Sequence, residues 1–143
     1  MADKVNDIKQ EAWSHFEDYQ YVMLATTEGS QPRVRPVTLI NFDKTLWIGT
    51  GTNSAKVKQI RDNSNIEFCL QFERDSGNGY VRVVGVANIV TDKKTKARLA
   101  DHIDFFNNHW EGIDDPTYTL IQITPVEIEY RRSSEMAVQR FKV

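Results

Sequence analysis

Arg33 and Arg35, in the run PRVRPVTLI, are the first residues whose type and spacing carry chemistry. On a strand, side chains two apart leave the same face about 6.6 Å from one another, so one wall would hold two fixed positive charges. After Phe42-Asp43-Lys44 the chain turns back through Thr45-Leu46-Trp47-Ile48-Gly49. It then passes through the polar Thr50-Gly51-Thr52-Asn53-Ser54 into a segment that reads as helix from Ala55. The first N–H groups of a helix are unpaired and carry the positive end of its dipole, which suits an anion. Thr50 and Ser54 add hydroxyls and Lys56 an ammonium, and the set reads as a phosphomonoester clamp. The residues alone leave a plainer reading open, in which Arg33 and Arg35 form the polar face of a half-exposed strand and Ser54 is an ordinary helix cap.

Other reactive side chains carry less. His102 and His109, on one helix, would stand about 10.5 Å apart along the axis, too far to share a metal. They read as solvated or capping residues, and His15 as a surface residue. Cys69 lies in an apolar run without a basic neighbour in sequence and reads as an inert buried thiol. Asp101, Asp104, Glu111, Asp114 and Asp115 lack the ligand spacing of a calcium loop, so no metal site is expected. Trp47 reads as core, and Trp110, in a loop with glycine and acids, as open to a ligand or an interface.

Several elements must position these groups. Val5, Ile8, Ala12, Phe16 and Tyr19 recur at helical spacing and predict an amphipathic helix over residues 4–18. Residues 21–27, closed by Glu28-Gly29-Ser30, and residues 32–42 predict a hairpin, which the turn at Asp43-Lys44 extends to a meander. Pro36 cannot donate to a ladder and marks a bulge or sheet edge beside Arg35. A helix over residues 55–61 leads to a strand at 66–72, the glycine-rich loop 74–79, and a strand at 80–90 whose valines leave little polar face. Gly85 within that strand implies close approach of a backbone or a ligand. A helix capped by Thr91-Asp92 is expected to reach Asn107, followed by a loop and a strand over 118–130 with a bulge at Pro125. Strands joined by tight turns are antiparallel, and the six predicted supply enough sheet to close. The expected class is mainly β with flanking helices, an antiparallel six-stranded barrel in a single domain, 1–143.

At 143 residues and 40% hydrophobic content, the chain is long enough for a real core. Its formal charge of -2 gives no global attraction to nucleic acid or membrane, so an anion site must be local. One cysteine cannot form an intrachain disulfide, and MADKVNDIKQEAW has no apolar signal region; a cytoplasmic location follows as the expectation.

The segments LATTEGSQPRVRPVTLI, LWIGTGTNSAKVKQIRDNSNIEFCL and VRVVGVANIV, in this order and at these separations, resemble the pyridoxamine 5′-phosphate oxidase-like FMN-binding split-barrel proteins. DDPTYTLIQITPVEIEY resembles the closing strand of the short bacterial members, the general stress proteins. The resemblance implies a split barrel, FMN as cofactor, and a homodimer with FMN at the subunit interface. Residue by residue it implies that Arg35 and Lys56 contact the FMN phosphate with Ser54 and Thr50 assisting. Val34, Pro36 and Val37 would border the flavin, and Tyr80 would contact it. Ala55 departs from the basic residue common in true oxidases, which implies a clamp that is either weaker or completed by Arg33. Glu129-Tyr130 is followed by Arg131-Arg132 without a C-terminal histidine, so an authentic pyridoxamine 5′-phosphate oxidase is not expected. The implied function is an FMN-dependent oxidoreductase acting on an unknown small substrate, with no catalytic side chain identified. The alternatives are an FMN-binding or stress-response protein without turnover, or a barrel that holds F420 or haem.

Overall fold

The computed structural model describes residues 2–75 and 77–143, apart from the side chains of residues 2–5; Ser76 of the expected glycine-rich loop and the Val5 side chain of the expected helical stripe lie outside the described residues. The elements are α1 (Ala2–Trp13), β1 (Tyr19–Glu28), β2 (Gln31–Phe42), β3 (Thr45–Gly51), α2 (Ala55–Asp62), β4 (Asn65–Arg74), β5 (Gly77–Ile89), α3 (Lys93–His102), a 3-10 turn at Phe106–Asn108, β6 (Tyr118–Arg131) and β7 (Gln139–Lys142). One antiparallel sheet runs β3-β2-β1-β4-β5-β6-β7, and an additional β3–β6 pairing closes six of the strands into a ring.

The closure is uneven, and that unevenness creates the site. β2 and β3 pair only at Ile40–Phe42 against Thr45–Trp47, around a turn in which Asp43 and Lys44 both take positive φ (55° and 56°). Two successive left-handed residues are the turn whose twist matches a right-handed hairpin. Beyond Trp47, β3 leaves β2 but stays paired with β6, a ladder that runs from Leu46↔Ile123 to Gly51↔Tyr118. The outer edge of β2 is therefore open beside Pro36, whose missing N–H costs no ladder bond there. The β1–β2 register passes through Met23↔Pro36 without a shift, so of the two expected alternatives Pro36 marks a sheet edge and not a bulge.

Alternation on the strands fills the ring. Val22, Leu24, Leu39, Phe68, Val81, Val83, Ile123 and Ile128 project inward and are buried, while Tyr21, Met23, Val34 and Val84 stand exposed on the outer face. β5 is thus central but not apolar on both sides, because Arg82 and Asn88 stand exposed on its outer face. β6 is buried on both faces at its start: Ile121 and Ile123 join the barrel core, whereas Tyr118 and Leu120 join a second cluster with Trp47, Leu99, Phe106 and Trp110 beneath α3. The register shift between Val84 and Gly85 opposite Pro125 is the expected bulge. An added Cβ at Gly85 would stand 2.7 Å from the Thr124 carbonyl oxygen, which is the expected close approach.

Three expectations are corrected. The first helix stops at Trp13, and Phe16 and Tyr19 reach the core from a turn and from β1. α3 stops at His102, where Ile103 turns extended and buries its side chain, so Phe106 packs from the 3-10 turn. His15 is buried; its Nε2 is 3.0 Å from the Tyr130 hydroxyl and its ring stacks on Phe72. The C-terminal tail forms β7, an added strand on the second half of β6, with Arg140 paired to Glu129 at 2.7 Å. Among the described residues no helix is long and apolar enough to cross a membrane.

Candidate functional site

α2 is a two-turn helix whose Val57 and Ile60 bury one face against β1. Its start is anchored by the preceding turn, where Thr52 N–H donates to the Thr117 carbonyl (2.9 Å) and the Thr52 and Thr119 hydroxyls are 2.8 Å apart. Ser54 occupies the N-cap position but makes no side-chain cap bond. Its Oγ instead accepts from Lys56 Nζ at 3.2 Å, and Thr50 Oγ1 accepts from the same ammonium at 2.7 Å. Three of the expected clamp residues are thereby assembled around one cation. Burial first, and the Arg35 charge second, hold the Lys56 pKa below the usual lysine range.

Arg35 shares the inward face of β2 with Val37 and Leu39, at the level where the barrel opens. Its Nη1 donates to the Leu24 carbonyl (3.2 Å) and to Thr26 Oγ1 (2.8 Å), and its Nη2 to Gln59 Oε1 (2.6 Å). Burial, then the neighbouring Arg33 charge, lower its pKa, and a guanidinium starting near 12.5 stays ionised. Arg33 is more exposed and is held by Glu28 at 3.0 Å, so its charge is partly spent.

A cleft of about 260 Å³ lies where β2 and β3 part, lined by Pro36, Val37, Ile48, Gly49, Thr50, Lys56, Phe105, His109 and Trp110 among others. Its apolar walls and single cationic end suit a flat apolar body carrying an anion. A Cβ at Gly49 would stand 3.5 Å from the Trp110 ring, while at Gly51 it would meet nothing within 4 Å, so the backbone there is approachable. A larger cleft of about 530 Å³ between Trp13, the β2–β3 turn and β6 lies away from the Arg35–Lys56 cluster.

Not every expected residue joins the cluster. Val34 points outward, 64% exposed. Tyr80 lies on β5 beyond β1 and β4, and its hydroxyl donates to Glu129 at 2.7 Å, with Arg82 and Arg140 on the same carboxylate. Sequence reasoning missed Gln59, Thr26, Phe105 and His109. Gln59 was detectable as the polar residue one turn beyond Lys56 on a helix face otherwise built from Val57 and Ile60. Trp110 packs against Phe106 and Tyr118, its indole N–H donating to the Thr117 carbonyl, and still lines the cleft. Cys69 is half-buried on the outer face, and burial raises its pKa. No group of three or more His, Cys, Asp or Glu side chains is placed for a metal among the described residues.

A curated relative, general stress protein 26 of Bacillus subtilis, is 27% identical over 132 residues, covering 90% of this chain and 91% of its own length. Among solved structures, a NimC/NimA family protein from Clostridium acetobutylicum superposes with TM-score 0.75 at 21% identity, covering 94% of this chain and 91% of that one. A FAD-binding protein from Mesorhizobium loti gives 0.71 at 17% identity, with 91% and 94% covered. A haem-binding protein from Mycobacterium smegmatis gives 0.72 at 12% identity, covering 87% of this chain and 53% of that one. At these identities the structural likenesses show the fold alone. The family model described as pyridoxamine 5′-phosphate oxidase like matches residues 7–142, nearly the whole chain. The chain therefore belongs to the pyridoxamine 5′-phosphate oxidase-like family.

Proposed function

We propose that the protein binds FMN, with the phosphate at Lys56, Arg35, Thr50, Ser54 and the start of α2, and the ring in the cleft beside Pro36 and Val37. The observation that carries this reading is the Lys56 ammonium. It is partly desolvated, held only by two hydroxyls, and set beside a second cation without a carboxylate of its own among the described residues. A cation kept in that condition favours an anion, and the uncapped N–H groups of α2 add donors. The FAD-binding neighbour supports a flavin. At about 260 Å³ the cleft falls below the usual range for enclosed ligand sites, roughly 300–1,000 Å³, so one chain covers only part of the ligand. A second copy packed on the outer face, where Tyr21, Met23, Val34 and Val84 are exposed, would cover the rest. Val34 and Tyr80 reach a cofactor only across such an interface.

Bound there, flavin would supply hydride and electron transfer to a small substrate. The chain's part is to neutralise the phosphate, wall one ring face with Val37, Ile48 and Trp110, and exclude water. Binding without turnover is the second reading, favoured because Lys56 and His109 are the only ionisable side chains among the described cleft-lining residues. An absorption spectrum of the purified protein, followed by FMN and riboflavin titration, tests the flavin assignment. An F420 or haem spectrum, or equal affinity for the two flavins, overturns it. Steady-state oxidation of reduced nicotinamides separates an oxidoreductase from a flavin-binding stress protein.

A further inference from the structure

Gln59, outside the expected clamp, is 4% exposed and uses both ends of its amide. Its Oε1 accepts from Arg35 Nη2 and from Thr26 Oγ1, each at 2.6 Å, while its Nε2 donates to Glu28 Oε2 at 3.3 Å. The reverse amide orientation would set N–H groups against the guanidinium, so the network admits only this one. Thr26, 2% exposed, closes a triangle by accepting from Arg35 Nη1.

A guanidinium has five N–H donors in one plane. Thr26 Oγ1 and Gln59 Oε1 stand 2.6 Å apart and together take the end of the fork, one through Nη1 and one through Nη2. The Leu24 carbonyl takes the remaining Nη1 hydrogen. Two donors are left, Nε–H and one Nη2–H, along one edge of the planar group, and such a pair forks onto one oxyanion. Without the acceptor at position 59, rotation about the Arg35 side chain would let the guanidinium turn toward Glu28, which already holds Arg33 and Gln59.

We propose that Gln59, assisted by Thr26, is a positioning residue that presents the Nε/Nη2 side of Arg35 to the phosphate of the ligand. The inference rests on the flavin-phosphate reading above. It adds that recognition of the anion is governed from the buried face of α2, through a residue that does not touch the ligand.

The test uses the full-length protein stripped of any bound flavin and the variants Gln59→Met and Thr26→Val, each close in volume to the native residue. Dissociation constants are measured for FMN and for riboflavin by fluorescence quenching, beside thermal midpoints. Gln59→Met is expected to weaken FMN about tenfold, the size of one charge-assisted hydrogen bond, with riboflavin unchanged. Thr26→Val is expected to show a smaller loss of the same kind, and it carries the test if Gln59→Met does not fold. Gln59→Glu keeps the acceptor but adds a negative charge, and is expected to lose FMN selectivity without freeing Arg35. Where the native protein prefers FMN to riboflavin, equal weakening of both flavins, or an unchanged FMN-to-riboflavin ratio, would overturn the positioning role. A separate arm titrates inorganic phosphate and follows the Arg35 Nε–H resonance. A shift in the native protein that disappears in Gln59→Met supports the role even if native protein fails to distinguish FMN from riboflavin, which would defeat only the flavin reading. No shift in the native protein overturns the inference.

Discussion

Replacing Lys56 with methionine keeps most of the aliphatic stem that lies over the start of α2 and deletes the ammonium. In the native protein that ammonium donates to Thr50 Oγ1 at 2.7 Å and Ser54 Oγ at 3.2 Å, and its pKa is lowered by burial and by Arg35. A phosphomonoester near pH 7 brings about 1.5 to 2 negative charges. A hydrogen bond to a charged group contributes on the order of 1.5–3 kcal/mol, so Lys56→Met should weaken FMN by about one to two orders of magnitude and leave riboflavin unchanged. The apo protein should respond in the opposite direction. A lysine whose folded pKa lies below its unfolded value is destabilised as a cation by folding, so removing the charge should hold or raise the thermal midpoint. Affinity should also depend on alkaline pH in the native protein, falling once Lys56 deprotonates below its ordinary 10.5, and this dependence should vanish in the variant. The assay is fluorescence quenching with both flavins across pH 7 to 10, beside thermal melts without flavin. Unchanged FMN affinity, or a melt lowered in parallel with affinity for both flavins, would refute the reasoning.

Arg33→Ala should cost less than threefold in FMN affinity by the same titration, since Glu28 already holds that charge at 3.0 Å on an exposed surface. Gly85→Ala should lower stability by about 1–3 kcal/mol in urea unfolding, because the new Cβ would meet the Thr124 carbonyl oxygen at 2.7 Å. The His15 pKa is depressed chiefly by burial, so the unfolded chain takes up its proton first and stability should fall as pH drops below 6.5. His15→Phe, which retains the stack on Phe72, should flatten that slope in melts taken from pH 7 to 5. The Glu11 contribution, held by Arg132, is lost only at lower pH, as its depressed carboxyl titrates below 4.5. Pyridoxine 5′-phosphate should not be oxidised by FMN-loaded protein under air, because Arg131, Arg132 and Arg140 already bond the Asn78 carbonyl, Glu11 and Glu129. Peroxide formation at about 1 per second or faster would contradict that expectation.

The features legible in the amino-acid string are local ones. Alternation in β1 and β4, the turn residues after Glu28 and Phe42, the bulge proline at 125 and the polar run before Ala55 each act over a few neighbours, so their physics is present in the string. The same holds for the grouping of Thr50, Ser54 and Lys56, because all three lie on one strand end and the helix start that follows it. Tertiary structure decided what depends on partners remote in sequence. His15 is buried because Tyr130 and Phe72 close over it, across 115 positions in the case of Tyr130. The tail becomes a strand because the second half of β6 leaves an edge for residues 139–142. The cleft exists because β3 stays with β6 as far as Gly51 while its other edge parts from β2 after Ile40↔Trp47, a divergence that no local propensity expresses. Gln59 and Thr26 acquire their role for the same reason: helix spacing can place Gln59 beside Lys56, but only the fold brings the Arg35 guanidinium against its amide and the Thr26 hydroxyl.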